Sequence, residues 1–235
     1  MINSKYFFLF FLSLLFCTQA YCQSTSSSIT LNSSVLDTIE SRLNQERLHV
    51  LWLQDTLTIA VQHETLQTDT VMFAKYRKAF KDSSMWRTEE DIDLYFKSIR
   101  MGASNCYVYA LEQYFENHPI YNQELFNELT SMDRASAEKI LNHYFVAIDS
   151  IETTPKKNLK QPFPDDVLLG FVNKLDWTIH LVYHNQSNFY SKNGHFAPMT
   201  FESLKKFLKT KYWDTTKIRI YRLDDSLVQE MLETL

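Results

Sequence analysis

Residues 167–194 read VLLGFVNKLDWTIHLVYHNQSNFYSKNG, and this stretch decides the fold class. It contains three runs rich in β-branched and aromatic residues, at 167–174, 177–184 and 188–194. Short polar connections separate the runs, which is the pattern of consecutive antiparallel strands. Residues 217–223, KIRIYRL, alternate in the same way and add a last strand to the predicted sheet.

The residues before this sheet have helical spacing instead. A helix is predicted to begin at Cys106, with Ser104 or Asn105 as its N-cap. Two more helices are predicted at 122–131 and, capped by Asp133, at 134–150. Helices followed by an antiparallel sheet indicate an α+β fold. Two shorter helices, one capped by Thr200 and running to Lys209 and one in the C-terminal tail, complete this part of the chain.

An N-terminal, mainly helical region is predicted over residues 35–101. Its apolar spacing from residue 35 is helical, and helices are also predicted at 70–81 and 88–101. Between them, LHVLWL and TLTIAV flank Gln54-Asp55 and predict a β-hairpin. We therefore expect this region to precede an α+β domain at 102–235.

The first 22 residues have the pattern of a signal peptide. One lysine precedes an apolar run of a dozen residues, which is too short to span a bilayer, and small residues follow it. Cleavage is expected after Ala20 or after Cys22, leaving a flexible Ser/Thr-rich lead-in at 23–34. Bulky Phe16 and Tyr21 precede the two leader cysteines and disfavour lipoprotein anchoring. The mature protein is thus predicted to be exported, periplasmic or secreted, with no integral membrane span.

Charge and glycine content exclude several classes of partner. The formal net charge is −4, which disfavours a nucleic-acid partner. Only three of the 235 residues are glycine, so the sequence has no phosphate-binding glycine loop. All three glycines, Gly102, Gly170 and Gly194, are near the candidate site described next, where a tight turn or a close backbone approach would require them.

No metal or cofactor is predicted. His63-Glu64 begins a zincin-like motif, but Gln67 occupies the position of the second histidine. His180 and His184 are four residues apart on a predicted strand, which separates them by about 13 Å and prevents chelation by the pair.

Cys106 is the leading candidate for chemistry. Cleavage of the leader leaves it alone or with Cys22, and a position in the first turn of a helix lowers the pKa of a thiol. His180, inside a predicted strand, is the candidate base. Asn193 is the preferred orienting residue, with Ser191 as its substitute, because alternation puts both on one face.

Other interpretations of these residues remain open. Free cysteine is among the most buried residue types, so Cys106 also fits a core position. A disulfide between Cys106 and Cys22 is a third alternative if cleavage follows Ala20. His180 likewise fits a hydrogen-bonded, half-buried histidine without catalytic function.

At this point the sequence resembles a known family. The segments SNCYVYAL (104–111), PFPDDVLLGFV (162–172) and IHLVYHNQSNFYSKNGHFAP (179–198) follow the order of papain-like cysteine hydrolases of the NlpC/P60 and CHAP type. This resemblance implies a papain-like antiparallel sheet packed on a cysteine-bearing helix. It also implies cleavage of an amide or peptide bond, with cell-wall peptide as the substrate class.

The resemblance assigns roles to individual residues. Cys106 would be the nucleophile, His180 the general base, and Asn193 or Ser191 the orienting residue. The Cys106 backbone N–H, with Asn105, would form the oxyanion site. The first hypothesis is therefore an exported cysteine hydrolase, and the alternative is a non-catalytic exported binding protein on the same fold.

Overall fold

The computed structural model describes residues 29–42, 45–63, 104–194 and 198–233. The predicted leader, the helices at 70–81 and 88–101 and Gly102 lie outside these residues. The described residues contain four α-helices: α1 Cys106–Glu116, α2 Arg134–Tyr144, α3 Leu204–Thr210 and α4 Asp225–Glu233. Their strands are β1 Ile29–Thr30, β2 Ser33–Arg42, β3 Gln45–Trp52, β4 Asp55–Gln62, β5 Tyr121–Asn122, β6 Thr130–Met132, β7 Phe145–Glu152, β8 Val167–Asn173, β9 Thr178–Asn185, β10 Asn188–Ser191, β11 Met199–Phe201 and β12 Thr215–Leu223.

A six-stranded antiparallel sheet dominates the structure. Its strand order is β11-β10-β9-β8-β12-β7, and every neighbouring pair is antiparallel. The α+β class and the strands predicted in 167–194 and 217–223 are confirmed, although β10 ends at Ser191. β8 and β9 lie at the centre of this sheet, which explains why their sequences are almost continuously apolar.

Helices cover both faces of this sheet. On one face α1 packs in a core that also contains Leu168, Leu181 and Tyr183. On the opposite face α3 packs on a second core that contains Phe171 and Val182. Successive residues of β9 therefore contribute to different cores, as the two-residue period of a strand requires.

A second sheet, with order β2-β3-β4-β6, replaces part of the predicted N-terminal helical region. The helix predicted from residue 35 is wrong, because β2 is a strand paired with β3. Its register shifts between Val35 and Asp37 and again between Thr38 and Glu40. These irregularities break the alternation of a strand and produce apolar spacing that imitates a helix.

The hairpin predicted within this region is confirmed. β3 and β4 pair directly from Trp52 and Asp55 outward, so its turn is Leu53-Gln54, one residue earlier than predicted. Leu53 has φ +52° and a buried side chain, and its N–H donates to the carbonyl of Asn32. Burial of the leucine holds a turn that Leu-Gln would not favour by itself.

The helix predicted at 122–131 is also wrong. The segment contains β5, turns and β6, and its polar side chains bond nearby backbone. Gln123 Oε1 accepts from the N–H of Phe126, and Asn127 Oδ1 accepts from the N–H of Leu129. Such local bonds compete with helix formation.

Two further helix boundaries differ from the predictions. Asp133 caps α2 as predicted, but the helix ends at Tyr144 and the chain continues as β7. β7 is stabilised by pairing with the distant β12, which short-range periodicity does not reveal. Thr200 is not a helix cap, because it lies in β11, and the N-cap of α3 is Ser203.

Candidate functional site

Cys106 is the first residue of α1, as predicted. The helix is capped by Asn105, whose Oδ1 accepts from the N–H of Val108 at 3.3 Å. Asn105 Nδ2 also donates to the carbonyl of Met132 at 2.6 Å, which connects the start of α1 to β6. The N-terminus of α1, and with it Cys106, is therefore fixed by two bonds from one side chain.

The thiol of Cys106 is a free thiol in a nearly dry environment. The residue is 8% exposed and has no disulfide partner among the described residues, and Cys22, the partner in the alternative disulfide, lies outside them. Burial raises the pKa of Cys106 to about 11, although the backbone N–H groups of Leu181, Tyr107 and Cys106 itself favour the thiolate. Desolvation is the larger effect, so the neutral thiol is the stable form in this conformation.

His180 lies in β9 and is fully buried. Its Nε2 is 2.8 Å from the Oγ of Ser191 on the neighbouring strand β10. Among the described residues, its Nδ1 has no hydrogen-bond partner. Burial lowers the pKa of His180 to about 3, so the imidazole is neutral at physiological pH.

Of the two candidate orienting residues, Ser191 contacts the imidazole and Asn193 does not. β10 ends at Ser191, and Asn193 lies beyond it. Asn193 Oδ1 accepts from the hydroxyl of Tyr212 at 3.0 Å. The ring of Tyr212 is in turn stacked on His180, with 4.0 Å between ring centroids and 20° between planes. Asn193 is thus connected to His180 through Tyr212.

The side chains of Cys106 and His180 lie in different cores, on the two sides of β9. The thiol belongs to the core that includes Leu181, whereas His180 lies among aromatic rings of the other core, Phe171 and Phe207. Within the described part of the chain no hydrogen bond joins the sulfur to either imidazole nitrogen. In this conformation the thiol of Cys106 lies beside β9 and the imidazole of His180 extends from β9, but the two do not form a thiolate–imidazolium pair.

A buried lysine that sequence reasoning missed lies at the same end of α1. Lys192 is 3% exposed, and its Nζ donates to the Oγ of Ser104 at 2.8 Å. Burial lowers the pKa of Lys192, while Glu112 and Glu128 raise it. Burial, together with Glu116 and Glu128, raises the pKa of Glu112 to about 7. The alternation of a strand could have indicated that Lys192 turns inward on the opposite face, because successive residues point to opposite faces and Ser191 precedes it.

Two surface cavities lie elsewhere. One, of about 670 Å³, is lined by acidic, amide and aromatic residues that include Glu112, Glu116 and Phe126. The other, of about 400 Å³, is lined by residues that include Phe163 and His184. Neither of these two cavities is lined by Cys106 or His180, and burial of both residues closes the candidate site to solvent in this conformation.

The described residues contain no cluster of three or more His, Cys, Asp or Glu side chains that could hold a metal ion. His184, the second histidine of β9, has its Nδ1 bonded to the carbonyl of Pro164 at 2.8 Å. In the same described ranges, every helix is too short or too polar to cross a membrane.

The glycine predictions are partly testable. Gly194 has φ +56°, the left-handed conformation that favours glycine. A Cβ atom on Gly170 would lie 3.0 Å from Cε2 of Tyr221 and 3.4 Å from Cγ2 of Thr178. Gly194 thus meets the predicted turn requirement, whereas the nearest neighbours of Gly170 are side chains and not the predicted close backbone.

Comparison with known proteins gives no relative: no family model, no curated protein and no solved structure matches this chain.

Proposed function

We propose that this chain is an exported cysteine hydrolase that cleaves an amide or peptide bond, with cell-wall peptide as the substrate class, on a papain-like α+β fold. The observation that carries the proposal is the hydrogen bonding of His180. Ser191 holds its Nε2, and its Nδ1 is buried without a partner among the described residues. A buried polar atom without a partner costs stability, and such atoms are concentrated at functional sites. A nucleophile that approaches Nδ1 would complete the imidazole's bonding.

Cys106 supplies the nucleophile in this proposal. Its position at the start of α1 and the N–H of Leu181 both favour a thiolate once the site is solvated. Nδ1 of His180 takes the thiol proton, and the sulfur attacks the carbonyl carbon of the substrate. The imidazolium then returns the proton to the leaving amine, which leaves a thioester on Cys106.

Hydrolysis of the thioester completes the cycle. His180 removes a proton from water, the hydroxide attacks the acyl carbon, and the thiol is regenerated as the carboxylic acid leaves. Ser191 orients the imidazole through Nε2, and the N–H of Cys106 with the side chain of Asn105 stabilises the oxyanion. For this reaction the closed conformation must open and must also bring the sulfur of Cys106 to Nδ1 of His180, because both groups are buried and neutral and lie in different cores on the two sides of β9.

The test is the pH dependence of Cys106 alkylation by iodoacetamide, followed by peptide mass spectrometry so that Cys17 and Cys22 do not interfere. A thiolate–imidazole pair predicts alkylation that persists well below the pH of free thiol titration and is lost in His180→Ala. His184→Ala is the matched control, because it removes the other buried histidine of β9. An apparent pKa of about 8.5 or higher, with no effect of His180→Ala, contradicts the proposal.

The burial of Cys106 and His180 favours a second candidate, a non-catalytic exported interaction protein of the same fold. A thiol whose pKa is raised to about 11 behaves as a small apolar core residue. This candidate predicts that Cys106→Ser alters stability but leaves the protein's biological effect unchanged. Loss of that effect in a folded Cys106→Ser variant would exclude it.

A further inference from the structure

We propose that Tyr212 is a movable cover over His180, held closed by Asn193, and that its displacement opens the site to solvent. The claim that opening permits chemistry rests on the proposed function. The claim that Tyr212 controls access to the imidazole stands on the contacts of the ring alone.

The position of Tyr212 supports a covering role. Its ring lies parallel to the imidazole at stacking distance, whereas Phe171 and Phe207 contact the same imidazole at 5.4 and 5.9 Å between centroids. Phe171 and Phe207 are buried, but Tyr212 is only half-buried. Tyr212 is therefore the layer between a fully buried imidazole and the surface.

The side chain of Tyr212 is held by ring contacts with His180, Phe171 and Phe207 and by one hydrogen bond. It follows the last residues of α3 and precedes β12, in a short connection outside both elements. Its hydroxyl donates one hydrogen bond, to Asn193 Oδ1, in the segment after β10. A neutral hydrogen bond of this kind contributes only about 0.5 to 1.5 kcal/mol net. The side chain of the next residue, Trp213, is 81% exposed and does not anchor the connection, whose backbone is held where the carbonyl of Tyr212 accepts from the N–H of Thr215 at 3.2 Å.

The cover also accounts for Asn193. Asn193 does not touch the imidazole, yet it fixes the ring that lies on it. Asn193 and Tyr212 are thus positioning residues that act on His180 from one side, while Ser191 holds Nε2 from the neighbouring strand.

The test measures access to His180 directly. The full chain is treated with diethyl pyrocarbonate at pH 6, and carbethoxylation of each histidine is followed by peptide mass spectrometry. Because burial holds the pKa of His180 near 3, the ring is neutral at this pH and its rate reports access. His184, also buried in β9 but without a contact to Tyr212 in the described structure, is the internal reference.

Tyr212→Ala is expected to increase the rate at His180 at least about tenfold without changing the rate at His184, as for local opening. Tyr212→Phe and Asn193→Ala remove the same hydrogen bond and are expected to give equal, smaller increases. Trp213→Ala, the matched control, is expected to match the wild type. The proposal is overturned if Tyr212→Ala leaves the rate at His180 unchanged, or if Trp213→Ala increases it equally.

If Tyr212→Ala unfolds the chain, the carbethoxylation rate of His184 increases as well as that of His180. The milder variants Tyr212→Phe and Asn193→Ala then test the proposal. An increase confined to His180 in these two variants supports the cover, and no increase overturns it. Alkylation of Cys106 in Tyr212→Phe separates the two proposals. His180 can become accessible while the pH dependence of Cys106 alkylation is still unaffected by His180→Ala. In that case the hydrolase proposal fails and the proposal that Tyr212 covers His180 stands.

Discussion

Ser191 Oγ lies 2.8 Å from Nε2 of His180, and this bond joins two neighbouring strands inside a dry core. The opposite nitrogen of the same ring has no partner among the described residues. One side of the imidazole is therefore fixed while the other is available. This asymmetry is the basis of the proposed function.

Removal of the serine hydroxyl should destabilise the fold measurably. In Ser191→Ala both nitrogens of His180 are buried without partners, which is expected to cost about 1 to 3 kcal/mol. Chemical denaturation of the wild type and the variant measures this change. Ser150→Ala, on the exposed strand β7, is the control and should change stability little. Equal stability of Ser191→Ala and wild type would contradict the assigned bond.

Acid should destabilise the protein through His180. Its pKa is about 3 in the native state and about 6.5 when unfolded, so between these pH values only the unfolded state binds the proton. The free energy of unfolding then falls, as pH falls from 6.5 towards 3, by about 1.4 kcal/mol per pH unit from this residue.

The measurement compares urea denaturation of wild type and His180→Gln across about pH 4 to 7, a range that starts above the unfolded-state pKa and covers most of the interval down to the native-state pKa. The carboxylates titrate in both proteins, so only the difference between the two slopes is attributed to His180. We expect the shallower slope in His180→Gln. Parallel curves would show that His180 is not buried in its neutral form.

The cap of α1 should contribute to stability and to the position of the thiol. Asn105→Ala removes the bond to the N–H of Val108 and the bond to the carbonyl of Met132. Loss of an N-cap lowers the free energy of unfolding by about 0.5 to 2 kcal/mol. Because a second hydrogen bond is lost as well, we expect a decrease near the upper end of this range for Asn105→Ala. Thermal denaturation measures the loss, and Asn188→Ala, which removes a half-buried asparagine bonded only to the nearby carbonyl of Gln186, is the control.

Gly170→Ala should disturb the central strands. The added Cβ would press on the buried ring of Tyr221 from 3.0 Å, and overpacking of this kind costs about 1 to 3 kcal/mol. Gly194→Ala is a different case, because no described atom lies within 4 Å and only its φ of +56° opposes a side chain. We expect a smaller loss there, about 1 kcal/mol. A larger loss at Gly194 than at Gly170 in denaturation experiments would contradict this assignment.

Local sequence signals were sufficient for α1 and for the central strands. Ser104 or Asn105 before an apolar helical run predicts the start of α1, and continuous apolar runs predict β8 and β9. The signals failed where pairing partners are distant in sequence. The apolar spacing of β2 predicts a helix because its register irregularities imitate helical spacing. The sequence also predicts β7 as a continuation of α2, because only pairing with β12 makes this segment a strand.

The candidate site divides in the same way. Sequence alone determined that Cys106 begins a helix and that His180 lies within a strand. These are consequences of local caps and of the two-residue period of strands. Only the tertiary structure decided that Ser191 rather than Asn193 reaches the imidazole, that Tyr212 lies over it, and that both reacting groups are desolvated. Those features depend on which distant residues meet in the core, and desolvation overrides the pKa-lowering effect of the helix N-terminus on the thiol.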